Sequence, residues 1–192
     1  MRSLLIPATL ILLLFLAATA ISAPSQFLLR ADFTSDTTGY NFGWIDGNSP
    51  WQVWGNCLGT KFPEVQVGKV WYNKYAGLGI FGDIWPQTEL QDEELFVVPD
   101  LELFGTVCNA DAYFIGQWYV PLYANGPDAV FTDLTMKWPV GDLKAGFDAR
   151  RFYCGGGAWR FGPVASYKIE FAEFTLAYLN RPDEIRLGLT LQ

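Results

Sequence analysis

Tryptophan, asparagine and aspartate residues are concentrated in one short segment near the start of the chain, between residues 40 and 54. Trp44, Trp51 and Trp54 lie there beside Asp46 and Asn48. Indole rings offer large apolar faces, while amide and carboxylate groups hydrogen-bond the polar edge of a sugar or nucleoside. These residues therefore predict a ligand-binding loop. The alternative is an ordered loop whose aromatic rings pack on the rest of the fold.

The chain contains no histidine. Histidine is the usual general base of nucleophilic triads and the commonest metal ligand, so both kinds of site are excluded in their usual forms. One acidic cluster, Glu89 and 92–94, offers oxygen ligands for a hard cation but lacks calcium-loop spacing. A solvated loop is the preferred interpretation of this cluster. The sequence therefore predicts no enzymatic activity, no cofactor and no metal.

Two hairpins at the end of the chain predict an alternating, one-sided sheet. Gly141 and Asp142 suit a type II′ turn, which pairs Val140 with Leu143 and brings apolar residues together on one face. The second hairpin turns at 180–183 and pairs Leu179 with Glu184. Its last strand, Ile185–Leu191, alternates apolar and polar residues at every step.

The polar face of these strands carries small residues and a few charges instead of the lysines and glutamates of a solvated surface. Glycine and threonine there suit a narrow barrel interior, in which each charge needs a partner of opposite sign. We therefore predict that these charges line a lumen, pair inside it and tune its selectivity if it conducts. The predicted lumen charges are Asp133, Lys137, Asp148, Arg150, Lys168, Glu170 and Arg186.

Ten segments read as strands, from Phe27–Thr34 to Ile185–Leu191, and no useful helical period follows the first residues. The long segment Trp159–Tyr178 changes phase, which predicts a β-bulge near Ala172. Aromatic residues gather towards segment ends, as interface girdles do: Trp71, Tyr72, Trp85, Tyr123, Trp138 and Tyr178. Charged residues make up 17 % of the chain, against about 25 % in soluble domains.

A short basic start, an apolar run and the small residues before Pro24 predict a cleaved signal peptide at 1–23 and a single β-barrel domain at 24–192. The net charge of −7 makes nucleic acid a poor partner. Cys57, Cys108 and Cys154 allow at most one disulfide in an oxidising compartment, and all three pairings stay open.

These features resemble the small bacterial outer-membrane barrels, the OmpA-like class, over roughly residues 64–192. The resemblance implies an all-β fold, a closed antiparallel up-and-down β-barrel of eight to ten strands, in the Gram-negative outer membrane. It further implies a non-enzymatic protein with a structural or surface-interaction role, or a narrow channel for small solutes. Its partners would be the lipid bilayer and a small polar solute. Unlike that class, the chain ends in Gln192 and not in an aromatic residue.

A second hypothesis keeps the same strands but turns their apolar face inwards. The protein would then be a soluble exported β-sandwich or small barrel, with carbohydrate or another small ligand bound through Trp44, Trp51 and Trp54. Solubility without detergent distinguishes the two hypotheses. The sequence leaves the oligomeric state open.

Overall fold

Twelve antiparallel strands form one closed barrel, in which each strand pairs with its sequence neighbours and β1 pairs with β12. The computed structural model describes residues 26–34, 38–46, 49–58, 62–86, 94–123, 129–154, 157–180 and 183–192. The strands are β1 Gln26–Thr34, β2 Thr38–Ile45, β3 Trp51–Leu58, β4 Phe62–Tyr72, β5 Ala76–Trp85, β6 Glu94–Val107, β7 Ala110–Pro121, β8 Ala129–Val140, β9 Leu143–Cys154, β10 Arg160–Ile169, β11 Ala172–Leu179 and β12 Glu184–Leu191. No helix in this part of the chain is long and apolar enough to cross a membrane. The predicted signal peptide lies outside the described residues.

The predicted closed antiparallel barrel is confirmed, and it has twelve strands where the sequence indicated eight to ten. One additional strand is β2, whose two glycines and one asparagine are typical of a loop. The other comes from the long segment 159–178, which is two strands joined by a turn at 170–171. The predicted bulge is therefore wrong. A two-residue turn pairs Ile169 with Ala172 on one face, and this odd spacing produces the change of phase.

Both predicted hairpin registers are confirmed. Val140 pairs with Leu143, and the same register continues to Ala129 opposite Cys154. Leu179 pairs with Glu184, and this register continues to Ala172 opposite Leu191. One face of the β11–β12 hairpin is therefore apolar along its whole length, and the matching face of β8–β9 is apolar from the turn to Leu134 opposite Ala149.

The apolar face points out of the barrel. Large aliphatic side chains are exposed there, among them Leu78, Ile80 and Leu187 at 62 %, 50 % and 49 %. Aromatic residues flank this band near both ends of the strands, as girdles at two lipid–water interfaces do. The outward aromatic residues near strand ends are Trp44, Trp51, Trp71, Trp138 and Tyr167 at one end, and Tyr40, Trp118, Tyr153 and Tyr178 at the other. Tyr72 and Trp85, which the sequence placed in the girdles, instead line the interior.

The two ends of the barrel differ in the length of their connections. Two-residue turns at 108–109, 141–142 and 170–171 lie at the end where β1 begins and β12 finishes. The opposite end carries the longer connections 86–93 and 122–128. Outer-membrane barrels show the same asymmetry, with short turns on the periplasmic side and longer loops outside. We refer to these as the turn end and the loop end.

The turn between β8 and β9 contains Gly141 at a φ of +62°, as a type II′ turn requires at its first central position. A side chain is disfavoured at this φ, so Gly141→Ala is expected to destabilise the barrel by about 1 kcal/mol. Gly105→Ala is the matched control, because no atom lies within 4 Å of the added carbon and no positive φ is involved. Urea titration of folding into lipid vesicles measures both. Equal effects would contradict the turn assignment.

Candidate functional site: the barrel lumen

The barrel encloses a cavity of about 1550 Å³. Its lining reaches from Gln26 and Ser49 at the turn end to Glu94 and Arg160 at the loop end. Enclosed pockets for single small ligands occupy about 300–1,000 Å³, so this space is larger than an ordinary binding pocket. Barrels of eight strands are filled by their own side chains. The higher strand number leaves room for solvent and solute along the axis.

Arg186 is the centre of an ion network on one wall of the lumen, which runs from β8 through β12 to β1. The residue is 5 % exposed. Its Nη1 donates to Asp148 Oδ2 at 2.6 Å and lies 3.8 Å from Asp133 Oδ2. Its Nε lies 3.3 Å from Asp32 Oδ1. One guanidinium therefore balances carboxylates from three different strands, so the network links these strands across the wall.

The same network extends towards the loop end through Glu184, which is 1 % exposed. Arg160 Nη1 donates to Glu184 Oε2 at 2.8 Å, and Arg150 Nη2 donates to Glu184 Oε1. Arg30 Nε lies 3.1 Å from Asp32 Oδ1 and adds the last base. Buried charges persist only when each has partners. We call these eight residues the arginine network: Arg30, Asp32, Asp133, Asp148, Arg150, Arg160, Glu184 and Arg186.

The opposite wall, formed by β3 to β7, carries acids that are held by neutral groups. Glu102 accepts hydrogen bonds from the hydroxyls of Tyr72 and Tyr113 at 2.9 and 3.1 Å. Glu64 accepts from the amides of Gln66 and Asn56 at 2.7 and 3.3 Å. We call this the acidic wall, and its lumen-facing acids are Glu64, Asp83, Glu94, Asp100 and Glu102.

Between these acids the lumen contains an apolar cluster that the sequence did not reveal. Val70, Phe81, Phe96 and Val98 are at most 2 % exposed and pack together on the inner face of β4 to β6. Tyr119 joins them at a ring distance of 5.9 Å from Phe96. The alternation pattern assigned every apolar residue to the lipid side. The available signal was the run Phe96-Val97-Val98, which is apolar on both faces, as doubly buried strands are.

The seven predicted lumen charges do not share one location. Asp133, Asp148, Arg150 and Arg186 meet in the arginine network. The Lys137 ammonium lies apart, near the turn end, and donates to Glu173 at 2.7 Å. Lys168 is exposed near the same end and donates to Gln192. Glu170 lies in the turn between β10 and β11 with a φ of +46°, so it is not a lumen residue.

Asp133 and Arg150, two of the predicted lumen charges, do not form an ion pair with each other. The two residues are opposite each other in the register, as the hairpin predicts. Their charges are nevertheless balanced elsewhere, because Arg150 bonds Glu184 and Asp133 lies near Arg186. Arg30, Asp32 and Glu184 were missed because β1 and β12 approach this hairpin only when the sheet closes into a barrel. Arg160 was also missed, although β10 pairs directly with β9 and Arg160 lies opposite Arg150.

The three tryptophans proposed as a ligand site do not converge. Trp54 faces the lumen, where its Nε1 donates to Gln52 Oε1 at 2.8 Å. Trp44 and Trp51 belong to the outward face, and the Trp51 ring carries the Lys69 ammonium 4.4 Å from its centre. A long basic side chain beside an indole is typical of a lipid–water interface. A site made of all three tryptophans is therefore excluded, and Trp54 alone can meet a solute.

The other chemistry-bearing residues give no second site in the described part of the chain. Cys108 is exposed and free in its turn, while nothing is described of the Cys57 and Cys154 side chains. Within the described ranges, no group of three or more acidic or cysteine residues is arranged to hold a metal ion. Of the acidic cluster, only Glu94 lies in the described residues, at the start of β6.

Twelve antiparallel strands, a lipid-facing outer band and a charged lumen define the fold class as a porin-like barrel. Two solved structures with this fold are a KdgM porin and a NanC porin. The KdgM porin has a TM-score of 0.57 at 10 % identity, covering 87 % of this chain and 98 % of that one. The NanC porin has a TM-score of 0.53 at 9 % identity, covering 88 % and 100 %. A further KdgM porin structure, with the same scores, is described as a complex with disordered oligogalacturonate. The chain matches no family profile and no curated protein.

These comparisons refine the resemblance to OmpA-like barrels that the sequence suggested. The fold is that of a porin and not specifically that of an OmpA-like barrel. The strand number explains the difference, because twelve strands enclose a wider lumen than eight.

Proposed function

We propose that the protein is a channel in a bacterial outer membrane, through which small polar solutes diffuse, and that it is not an enzyme. The observation that carries the proposal is the cavity of about 1550 Å³, whose lining includes residues near both ends of the barrel. A closed barrel with side chains packed throughout its lumen would favour the structural or surface-interaction role instead. Export through the predicted signal peptide belongs to the same proposal.

The outer face supports the membrane location. Exposed aliphatic residues form a continuous band between two aromatic girdles, and such a band is unfavourable in water. The strands have 8 to 14 residues, against about 9–11 for a tilted strand that spans the hydrocarbon. The outward bases Lys69 and Arg151 lie beside aromatic rings at the girdles. A soluble sugar-binding protein is disfavoured by the same band.

The nature of the solute is a separate question. Oligogalacturonate is the compound named with the KdgM porin structure, and at 10 % identity it is only one candidate for this chain. The lumen offers hydroxyl, amide and charged groups along its length, which suits polar solutes in general.

Conductance measurements test this function. Protein refolded from detergent is expected to migrate differently with and without boiling, and to produce single-channel currents in planar bilayers. Leu28 lines the cavity, so Leu28→Trp is expected to lower the conductance by about a third or more, because pore cross-section limits ion flow. Leu187→Trp is the matched control, since Leu187 faces outwards at 49 % exposure. A heat-modifiable barrel without currents would contradict the channel and favour a structural role.

A further inference from the structure

The charges that line the cavity are not balanced. Six acids line the cavity of the described structure against three bases. The acids are Asp32, Asp46, Glu64, Glu94, Glu102 and Asp133, and the bases are Arg30, Arg150 and Arg160. A lining with an excess of one sign raises the local concentration of ions of the other sign. The excess here is negative.

The arginine network does not change this excess, because it is neutral within itself. Its four arginines are matched by four carboxylates, those of Asp32, Asp133, Asp148 and Glu184. The pair Lys137–Glu173 and the pair Lys144–Asp111 are also neutral. The bases of the lumen are therefore largely neutralised by ion pairs with neighbouring acids of the protein.

The acidic wall has no comparable source of positive charge. Among the described lumen-facing residues of β2 to β7 there is no lysine or arginine, because Lys69 points outwards onto Trp51. Tyrosine and amide donors orient Glu64 and Glu102 but bring no charge. Asp100 is 3 % exposed, and neither of its carboxylate oxygens has a hydrogen-bond partner. For Glu64, Glu94 and Glu102, the acids of this wall that line the cavity, a mobile cation from solution is the counter-ion that remains.

The acids of this wall are also distributed along the length of the lumen. Glu64 lies near the loop end of β4, and Glu102 lies near the turn end of β6, opposite Gly77. A cation that leaves one carboxylate therefore meets another further along, which is how successive weak sites support conduction. An oligomeric anion would face several carboxylates at once. Repulsion of this kind argues against oligogalacturonate as the solute.

We infer that the lumen admits small cations, inorganic ions and small organic amines alike, in preference to anions, and that Glu64 and Glu102 set this preference. The inference rests on the proposed channel function and adds its substrate class. Both carboxylates line the cavity, both are fixed by neutral donors, and neither has a base as partner in the described residues.

The test is the reversal potential of the full-length protein in planar bilayers under a potassium chloride gradient. The wild type is expected to pass potassium over chloride by about threefold or more, and E64Q/E102Q is expected to lower this ratio by about twofold or more. Asp142→Asn removes one carboxylate charge from the exposed turn between β8 and β9 and is the control for each single variant. Heat-modifiable migration confirms that each variant folds. If the double variant does not fold, E102Q and E64Q are measured singly, each with about half the effect.

The outcomes separate this inference from the channel itself. Absence of currents from a folded barrel contradicts the channel function. Currents that are unselective or favour chloride leave the channel intact and overturn the inference. Cation preference that is unchanged in E64Q and E102Q, or that changes equally in D142N, overturns the assignment to these two residues.

Discussion

Replacing Arg186 by methionine is expected to destabilise the barrel by about 3–5 kcal/mol, the usual cost of removing one partner from a buried ion pair. Arg186 Nη1 is the only base within 4 Å of Asp148 or Asp133 among the described residues. Asp148 and Asp133 are 3 % and 8 % exposed. Methionine keeps much of the volume but leaves both carboxylates buried without compensation, and this desolvation cost dominates.

Urea titration of folding into lipid vesicles measures the loss, and two further variants identify its cause. Lys144→Met removes a base from an ion pair whose side chains are 45 % and 52 % exposed, so it is expected to cost less than about 1 kcal/mol. Adding Asp148→Asn to Arg186→Met is expected to recover part of the lost stability, because it removes one of the two buried charges that have no partner. If Arg186→Met is no more harmful than Lys144→Met, the arginine network does not stabilise the wall.

The sequence was sufficient for the parts of the fold that depend on neighbouring strands. The Gly141 turn and the alternation of residues 143–150 determine the β8–β9 register, because a shift of one residue would exchange the two faces. The same reasoning works for β11 and β12. It predicted the barrel, its outer face and the general location of Asp148, Arg150 and Arg186.

The rest depends on contacts that local pattern does not encode. The partners of Arg186 come from β1, β8, β9 and β12, and the strands β1 and β12 meet only through closure of the barrel. The alternation pattern also assigns polar residues to the lumen and apolar residues to the lipid face. Phe81, Phe96 and Val98 are apolar but face the lumen. Strand β2 was not predicted, because its residues have weak strand propensity and it is held in the sheet by its pairing with β1 and β3.

Gly146→Ala is expected to have the second large effect, a loss of about 2 kcal/mol or more, or failure to fold, because overpacking against fixed atoms is strongly destabilising. A β-carbon on Gly146 would lie 1.8 Å from the Met136 carbonyl oxygen and 2.9 Å from the Lys137 Cα. These are backbone atoms of β8, whose pairing with β9 joins Lys137 to Gly146. They cannot move aside without disturbing that pairing, whereas a side chain would rotate away.

Gly82→Ala is the matched control, since the nearest atom to its added carbon is 3.9 Å away and the residue is exposed on β5. Alanine at such a strand position restricts the unfolded chain, so this variant is expected to be neutral or to stabilise by up to about 1 kcal/mol. The two substitutions are chemically identical and differ only in the approach of a neighbouring strand. Urea titration in lipid vesicles compares them directly. Equal stabilities would mean that β8 and β9 are further apart than described, and the position of Asp148 two residues along β9, on which the arginine network depends, would then be wrong as well.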